Sequence, residues 1–294
     1  MDVGIFQVVA DDRADPAIVA AKAEELGFES YWLGDHAIFP VKTDTPYPGG
    51  TAGEDTPDFF MRVPDQFVAL ARASAVTRTI KLGTGVCLVA ERSPLITAQQ
   101  VASLDNISGG RVLFGVGAGW NREECEILGG NFDHRWTDVQ DQVLAMKQLW
   151  TEEKAEYHGK YADFPPVYCY PKPTHKPHPP VLLGGAISDL MIKRTARWGD
   201  GWMPIIDGAD QYADAVERVT RAAEEAGRDP ATLDLTVYGL TGQWRTADDL
   251  RAFEKAGANR LIVWIDSLEL DEVLGEMEQL AAELIGPQSV AASA

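Results

Sequence analysis

The stretch 31–40, YWLGDHAIFP, ends an apolar run in an acid and an imidazole side by side, Asp35 and His36. Histidine changes charge near neutral pH, so at a strand end it can act as general acid or base, or donate to a bound ring. A neighbouring carboxylate can orient that imidazole or accept from a ligand. Successive strand residues point to opposite faces, so only one of the pair is expected to line a mouth directly. A strand simply emerging into solvent is the alternative.

Two glycine-rich turns could hold a ligand for these groups to act on. The first lies in 82–124, LGTGVCLVAERSPLITAQQVASLDNISGGRVLFGVGAGWNREE, where Gly83, Gly85, Gly115, Gly117 and Gly119 fall at or beside strand ends. Missing side chains let a flat ring or a phosphate approach the backbone there, and they suit a close-packed turn equally well. The run GVGAGW reads GxGxG, not the GxGxxG of a dinucleotide fold, and no initial βαβ unit is built around it. The second turn, Gly184, Gly185 and Ala186, follows an apolar strand and precedes a helix opened by Ser188 and Asp189, so backbone N–H groups would face an anion. Lys193 and Arg197 on that helix read as a solvated basic face. His175 and His178 stand in KPTHKPHPP, where prolines exclude the helix that would align them, and no metal site is expected.

Something must carry these groups to one place, and the elements to do so alternate along the whole chain. Apolar runs at 3–9, 30–33, 80–88, 111–116, 181–183, 201–205, 233–238 and 260–265 read as strands. Between them, 16–26, 64–76, 95–106, 136–150, 189–198, 210–226, 247–255 and 270–284 carry helical periodicity. Eight strands alternating with helices is the count of a (β/α)8 TIM barrel of α/β class, with an open doubly wound sheet as the alternative. Barrel enzymes keep their chemistry at strand C-terminal ends, where Asp35 and His36 fall. Two interruptions break the rhythm. An insertion after the second strand, about 41–62, is expected to form a substrate lid. The proline-rich 157–180 is long enough for part of it to cover the same mouth. Neither reads as a domain linker, so 1–294 is expected to be one domain, with a tail from about 286 that frays.

Composition bounds the partners. The 294 residues carry 26 Lys and Arg against 45 Asp and Glu, a formal net charge of −19 that repels nucleic acid and anionic membranes. Cys87, Cys125 and Cys169 are widely spaced, form no CxxC, and read as reduced thiols of a cytoplasmic protein. The N-terminus has no export signal, and no window approaches eighteen continuous apolar residues. The expected partner is a small molecule.

Taken in order, WLGDHAIFP with its TPYPGG insertion, LGTGV, SPLITAQQVASLDNISGGR, GVGAGW and the GGA…RTARWGDGW segment resemble the luciferase-like flavin monooxygenase superfamily over about residues 1–265. Within it the chain is most similar to actinobacterial deazaflavin-dependent oxidoreductases, which use coenzyme F-420. The resemblance implies that Asp35 and His36 lie at the cofactor's reactive side, with His36 as proton donor or substrate-orienting group. It implies a non-prolyl cis peptide at Gly85–Val86 behind the ring, with Gly117 and Trp120 beside the cofactor and Gly184, Gly185 and Ala186 at its phosphate. One departure stands out. The sugar-phosphate dehydrogenase branch has a glutamate just after the GVGxG turn, whereas this chain has Trp120, which cannot exchange a proton. Glu91 and Glu123 remain as acidic candidates. Because a GAGW-like turn also occurs in luciferase-type members, FMN with oxygen is the alternative to F-420, and binding without turnover is a second. Family members often form homodimers.

Overall fold

Helix ends are written in local chemistry. In α1 (Pro16–Leu26), Asp15 caps the start by accepting from Ala17 N, Pro16 presets the first turn, and Gly27 at φ 87° closes the end. That closure releases the chain into β2 (Ser30–Leu33), beside β1 (Asp2–Gln7). The computed structural model describes residues 1–8, 10–48 and 55–286. Residue 9, part of the insertion and the segment 287–294 lie outside the described residues.

The remaining elements follow in alternation. They are α2 (Gln66–Val76), β3 (Lys81–Thr84), β4 (Cys87–Leu88), α3 (Pro94–Ser108), β5 (Val112–Gly117), α4 (Arg122–Ile127), α5 (Arg135–Thr151), β6 (Ala155–His158) and β7 (Asp163–Val167). After them come β8 (Val181–Ala186), α6 (Asp189–Trp198), β9 (Gly201–Ile205), α7 (Ala209–Glu225), β10 (Asp234–Tyr238), α8 (Ala247–Lys255), β11 (Arg260–Ile265) and α9 (Leu270–Leu284). Pairing runs β3-β2-β1-β11-β10-β9-β8-β5, and β3 also pairs with β5, which closes an eight-stranded parallel barrel. Closure removes the open-sheet alternative. No helix among the described residues is long and apolar enough to cross a membrane.

Two local readings need correction. The expected third strand divides into β3 and β4 around a cis peptide between Gly85 and Val86. The 157–180 segment does not reach the mouth. Its β6–β7 hairpin packs on α5, and His175 bonds to Asp105 near the end of α3, at the opposite end of the barrel. His178 instead bonds to Pro179 O and lies 3.8 Å from Asp200.

Trp32 fills the barrel interior, and glycines make room for it. A Cβ on Gly83 would collide with its ring, and one on Gly4 would lie 2.9 Å from its Nε1. Below the indole, buried Arg260 bonds to Glu29 and Asp234 at 2.8–3.1 Å and stacks 5.8 Å over the ring. Burial alone would raise the Glu29 carboxyl, but Arg260 and Lys81 outweigh it and hold it at about 2.

Arg260→Ala leaves Asp234 without its ion-pair partner and Glu29 with Lys81 alone, and is expected to cost about 3 kcal/mol in urea denaturation. The Glu29 contribution, present above its ordinary pKa near 4.5, is lost as pH falls toward 2. In the Glu29→Gln variant, the acid limb of the stability profile should flatten over that window.

Candidate active site

At the C-terminal ends of the strands lies a cavity of about 460 Å³. Its lining includes nine residues nominated from the sequence, Asp35 and His36 after β2, Gly85 and Val86 between β3 and β4, Gly117 and Trp120 after β5, and Gly184, Gly185 and Ala186 at the end of β8, but neither Glu91 nor Glu123. Parallel strands feeding one rim bring together residues up to 151 positions apart.

The floor is built around Val86. A Cβ on Gly117 would collide with Val86 Cγ2, and one on Gly184 would lie 2.6 Å from Cγ1, so the isopropyl group occupies the space two absent methyls leave. Tyr238 fixes the adjoining peptide by donating its hydroxyl to Gly85 O at 2.9 Å. The Phe6 and Trp264 rings, stacked at 4.8 Å, continue this apolar wall.

Both acid and imidazole border the cavity, but they do different work. The Asp35 carboxylate turns away from it, accepting Leu88 N at 3.0 Å and the Arg92 guanidinium at 2.5 and 2.8 Å. With both oxygens engaged, it clamps the segment after β3 to the end of β2. His36 faces the cavity inside an aromatic shell of Phe39, Phe60 and Trp120, with ring centroids 5.3–5.9 Å away. Its Nδ1 lies 2.7 Å from Oε2 of Glu124, a fully buried carboxyl.

Sequence reasoning missed Glu124. The available signal was Asn121, which opens α4 by accepting Glu124 N at 2.9 Å, making Glu124 the third helical residue and aiming it back toward the rim. Of the two acids nominated instead, Glu123 binds the insertion, accepting from Thr43 Oγ1, Asp44 N and Thr45 Oγ1 at 2.8–2.9 Å. Those bonds outweigh its desolvation and hold it at about 2. Glu91 is buried behind the 117–120 turn, where a Cβ on Gly119 would lie 2.5 Å from its unpartnered Oε1. From the insertion Pro48, Phe59 and Phe60, and just after it Val63, line the cavity.

A second missed residue is Arg135. It borders the cavity, donates to Gly119 O and Phe132 O at 3.1 and 2.8 Å, and has no carboxylate within 4 Å among the described residues. A half-buried guanidinium without a counter-ion is suited to an anionic ligand. Across the same rim, Gly185 has the Trp136 ring 3.2 Å from where its Cβ would stand.

Comparison with known proteins places the geometry in context. Residues 10–283 match the family model described as luciferase-like monooxygenase. An uncharacterized protein of Mycobacterium tuberculosis is 34% identical over 286 residues, 97% of this chain and 99% of the relative. Among solved structures, a monooxygenase from Streptomyces bottropensis superposes with a TM-score of 0.77 at 22% identity, covering 98% of this chain and 100% of the other. The coenzyme F-420-dependent tetrahydromethanopterin reductase from Methanopyrus kandleri superposes with a TM-score of 0.73 at 19% identity, covering 97% and 99%. Both structures share the fold.

Charge at the rim is unbalanced. Burial, with Glu124 and Asp35 nearby, pushes Glu91 up to about 9, so it is a neutral carboxylic acid at pH 7. The folded state therefore binds more protons than the unfolded chain between about pH 4.5 and 9, and stability falls as pH rises through that range. Glu91→Gln removes the group that titrates. Chemical denaturation at pH 5 and pH 8.5 should show the variant losing less stability between the two than the parent; equal losses would refute the assignment.

Proposed function

The chain belongs to the luciferase-like monooxygenase family, and from that premise we propose that it is an oxidoreductase using the deazaflavin coenzyme F-420. In this reading it passes hydride between the reduced ring and a small, apolar, carbonyl-bearing substrate. One observation carries the reading: a single cavity joins an imidazole backed by a buried carboxyl to a flat apolar floor and a guanidinium with no carboxylate within 4 Å among the described residues.

The residues present fit such a cofactor. Val86, seated over Gly117 and Gly184, offers a planar ring a flat face. Arg135 and the backbone of 184–186 would hold the phosphate against a chain whose overall charge of −19 repels it. When bound, the reduced deazaflavin supplies the hydride. The chain supplies orientation, exclusion of water and a proton. Phe39, Phe60 and Trp120 wall off His36 from solvent, and their faces select an apolar substrate. His36, bonded through Nδ1 to Glu124, keeps Nε2 for the substrate oxygen on which charge develops.

A second reading, in which reduced FMN and oxygen are used, is in line with the family's description as luciferase-like monooxygenase. A homodimer also has a surface to use. The neighbouring helices α2 and α3 expose Val68, Val76, Ile96 and Ile107, and light scattering at micromolar concentration should give twice the chain mass.

Fluorescence-quench titration with reduced coenzyme F-420 and, in parallel, reduced FMN separates the cofactor readings. We expect micromolar or tighter binding of the deazaflavin, weak FMN binding and negligible oxygen uptake. Arg135→Ala should weaken the phosphate-bearing cofactor roughly 10- to 100-fold, as expected for one lost charge-assisted hydrogen bond, and leave a phosphate-free analogue unaffected. Preference for reduced FMN with oxygen consumption would transfer the protein to the monooxygenase reading. Tight binding without turnover across a ketone panel would make it a carrier.

A further inference from the structure

The sequence left one chemical question open, namely which acid serves where Trp120 stands. The structure answers with Glu124. It is fully buried, its Oε2 lies 2.7 Å from His36 Nδ1, and its Oε1 has no partner. The charges facing it come from two other elements. After β2 stand Asp35 and His36, and after β4 stand Glu91 and Arg92, with Asp65 at the start of α2 lying 3.6 Å from Arg92. Arg92 is committed to Asp35, and no guanidinium or ammonium lies within 4 Å of Glu124 among the described residues.

For a buried carboxyl with no cation beside it, sharing one proton with the imidazole makes the pair neutral and removes the cost of burying a net charge. That proton has two resting places, giving either imidazolium with carboxylate or imidazole with carboxylic acid. In both, the Nδ1–Oε2 hydrogen bond survives and Nε2 carries a hydrogen. In that neutral pair Nε2, the nitrogen remaining to the cavity, is a donor.

Building on the hydride-transfer reading, we propose that Glu124 is the positioning residue that shares a proton with His36 and so presents the His36 Nε2–H to the substrate oxygen. As the carbonyl carbon gains hydride, the C=O π pair moves to oxygen, which takes the Nε2 proton. The remaining imidazole proton stays on Nδ1, bonded to the Glu124 carboxylate. Solvent returns one proton to the pair after product leaves. The acid function thus reaches the substrate through His36 from α4, in place of a carboxyl on the glycine turn itself.

The first arm of the test needs no cofactor. Nitrogen-15 NMR of histidine-labelled protein at pH 7, with His36→Asn to assign the signals, should show His36 carrying hydrogen on Nε2 and a hydrogen-bonded Nδ1 in the parent. In Glu124→Gln the two nitrogen signals should move. Coincident His36 signals in parent and variant would overturn the proposal. Because glutamine matches the carboxyl in shape and needs no counter-ion, the melting temperature of Glu124→Gln should equal or exceed the parent's. Should that variant fail to fold, Glu124→Asp, which keeps the charge but shortens the reach, takes its place in both arms.

The second arm uses the protein loaded with whichever reduced cofactor it binds, and a ketone it turns over. Glu124→Gln should lower kcat on the order of 10²-fold with KM within about 3-fold, and should change the pH profile of kcat, while Glu124→Asp recovers part of the rate. An unchanged kcat in Glu124→Gln would overturn the proposal. If the parent turns over no ketone, the hydride-transfer reading fails, and the NMR arm still decides whether Glu124 governs the imidazole.

Discussion

The cavity rests on the isopropyl group of Val86. It fills the space where Gly117 and Gly184 lack side chains, so two strands on one side of the barrel approach a third more closely than any larger residue allows. Everything around it is arranged to keep it there. Tyr238 at the end of β10 holds Gly85 O, and Asp35 at the end of β2 holds Leu88 N and Arg92. Interrupting the third strand costs ladder pairing, and the side-chain bonds from neighbouring strands restore fixed positions to the freed backbone. The flat floor follows from packing, before any ligand is considered.

The second constraint is charge. Asp35, Glu91 and Glu124 are all buried near one rim, and among the described residues Arg92 is the sole guanidinium committed to them. Low polarity makes it costly to ionise all three, and each finds a different answer. Asp35 takes the guanidinium, Glu91 keeps its proton, and Glu124 shares one with His36. Burial raises the Glu124 carboxyl and the imidazole bond partly offsets that rise, as expected of a proton contested between two groups. Arg135 is the complement, a cation left without a carboxylate on the side of the cavity where the glycine turn opens.

Much of this was legible in the sequence because strand order and rim position follow from the alternation itself. Once eight apolar runs are recognised, whatever follows each run must stand at the same mouth, and Asp35, Gly117 and Gly184 are placed without any knowledge of contacts. What was not legible depends on three-dimensional direction. His36 and Glu124 are 88 residues apart, and although Asn121 marks the start of the helix, nothing in the local pattern says that Glu124 meets an imidazole while its neighbour Glu123 meets the insertion. Asp35 was nominated for its type, yet its oxygens are spent on Arg92, whose sequence position gives no hint of proximity. The 157–180 segment misleads for a related reason. Its length permits it to reach the mouth, but Asp141 and Asp105 draw its backbone to the side and the opposite end of the barrel.

The short helix α4 ties these observations together. Asn121 opens it and also donates to Thr43, so the start of the helix is bonded to the insertion. Glu123 then holds residues 43–45 and Glu124 holds His36, two consecutive carboxyls facing the insertion and the imidazole respectively. A displacement of α4 cannot loosen one without the other. The aromatic shell completes the coupling, since Phe39 and Phe60 belong to the segment after β2 and pack on Trp120, the residue immediately before the helix cap. Excluding water strengthens a hydrogen bond inside the cavity and at the same time removes the bulk source of protons. One six-residue helix thus bonds to the insertion through Glu123 and to the imidazole through Glu124, so the apolar cover of the cavity and its buried polar pair share a single support.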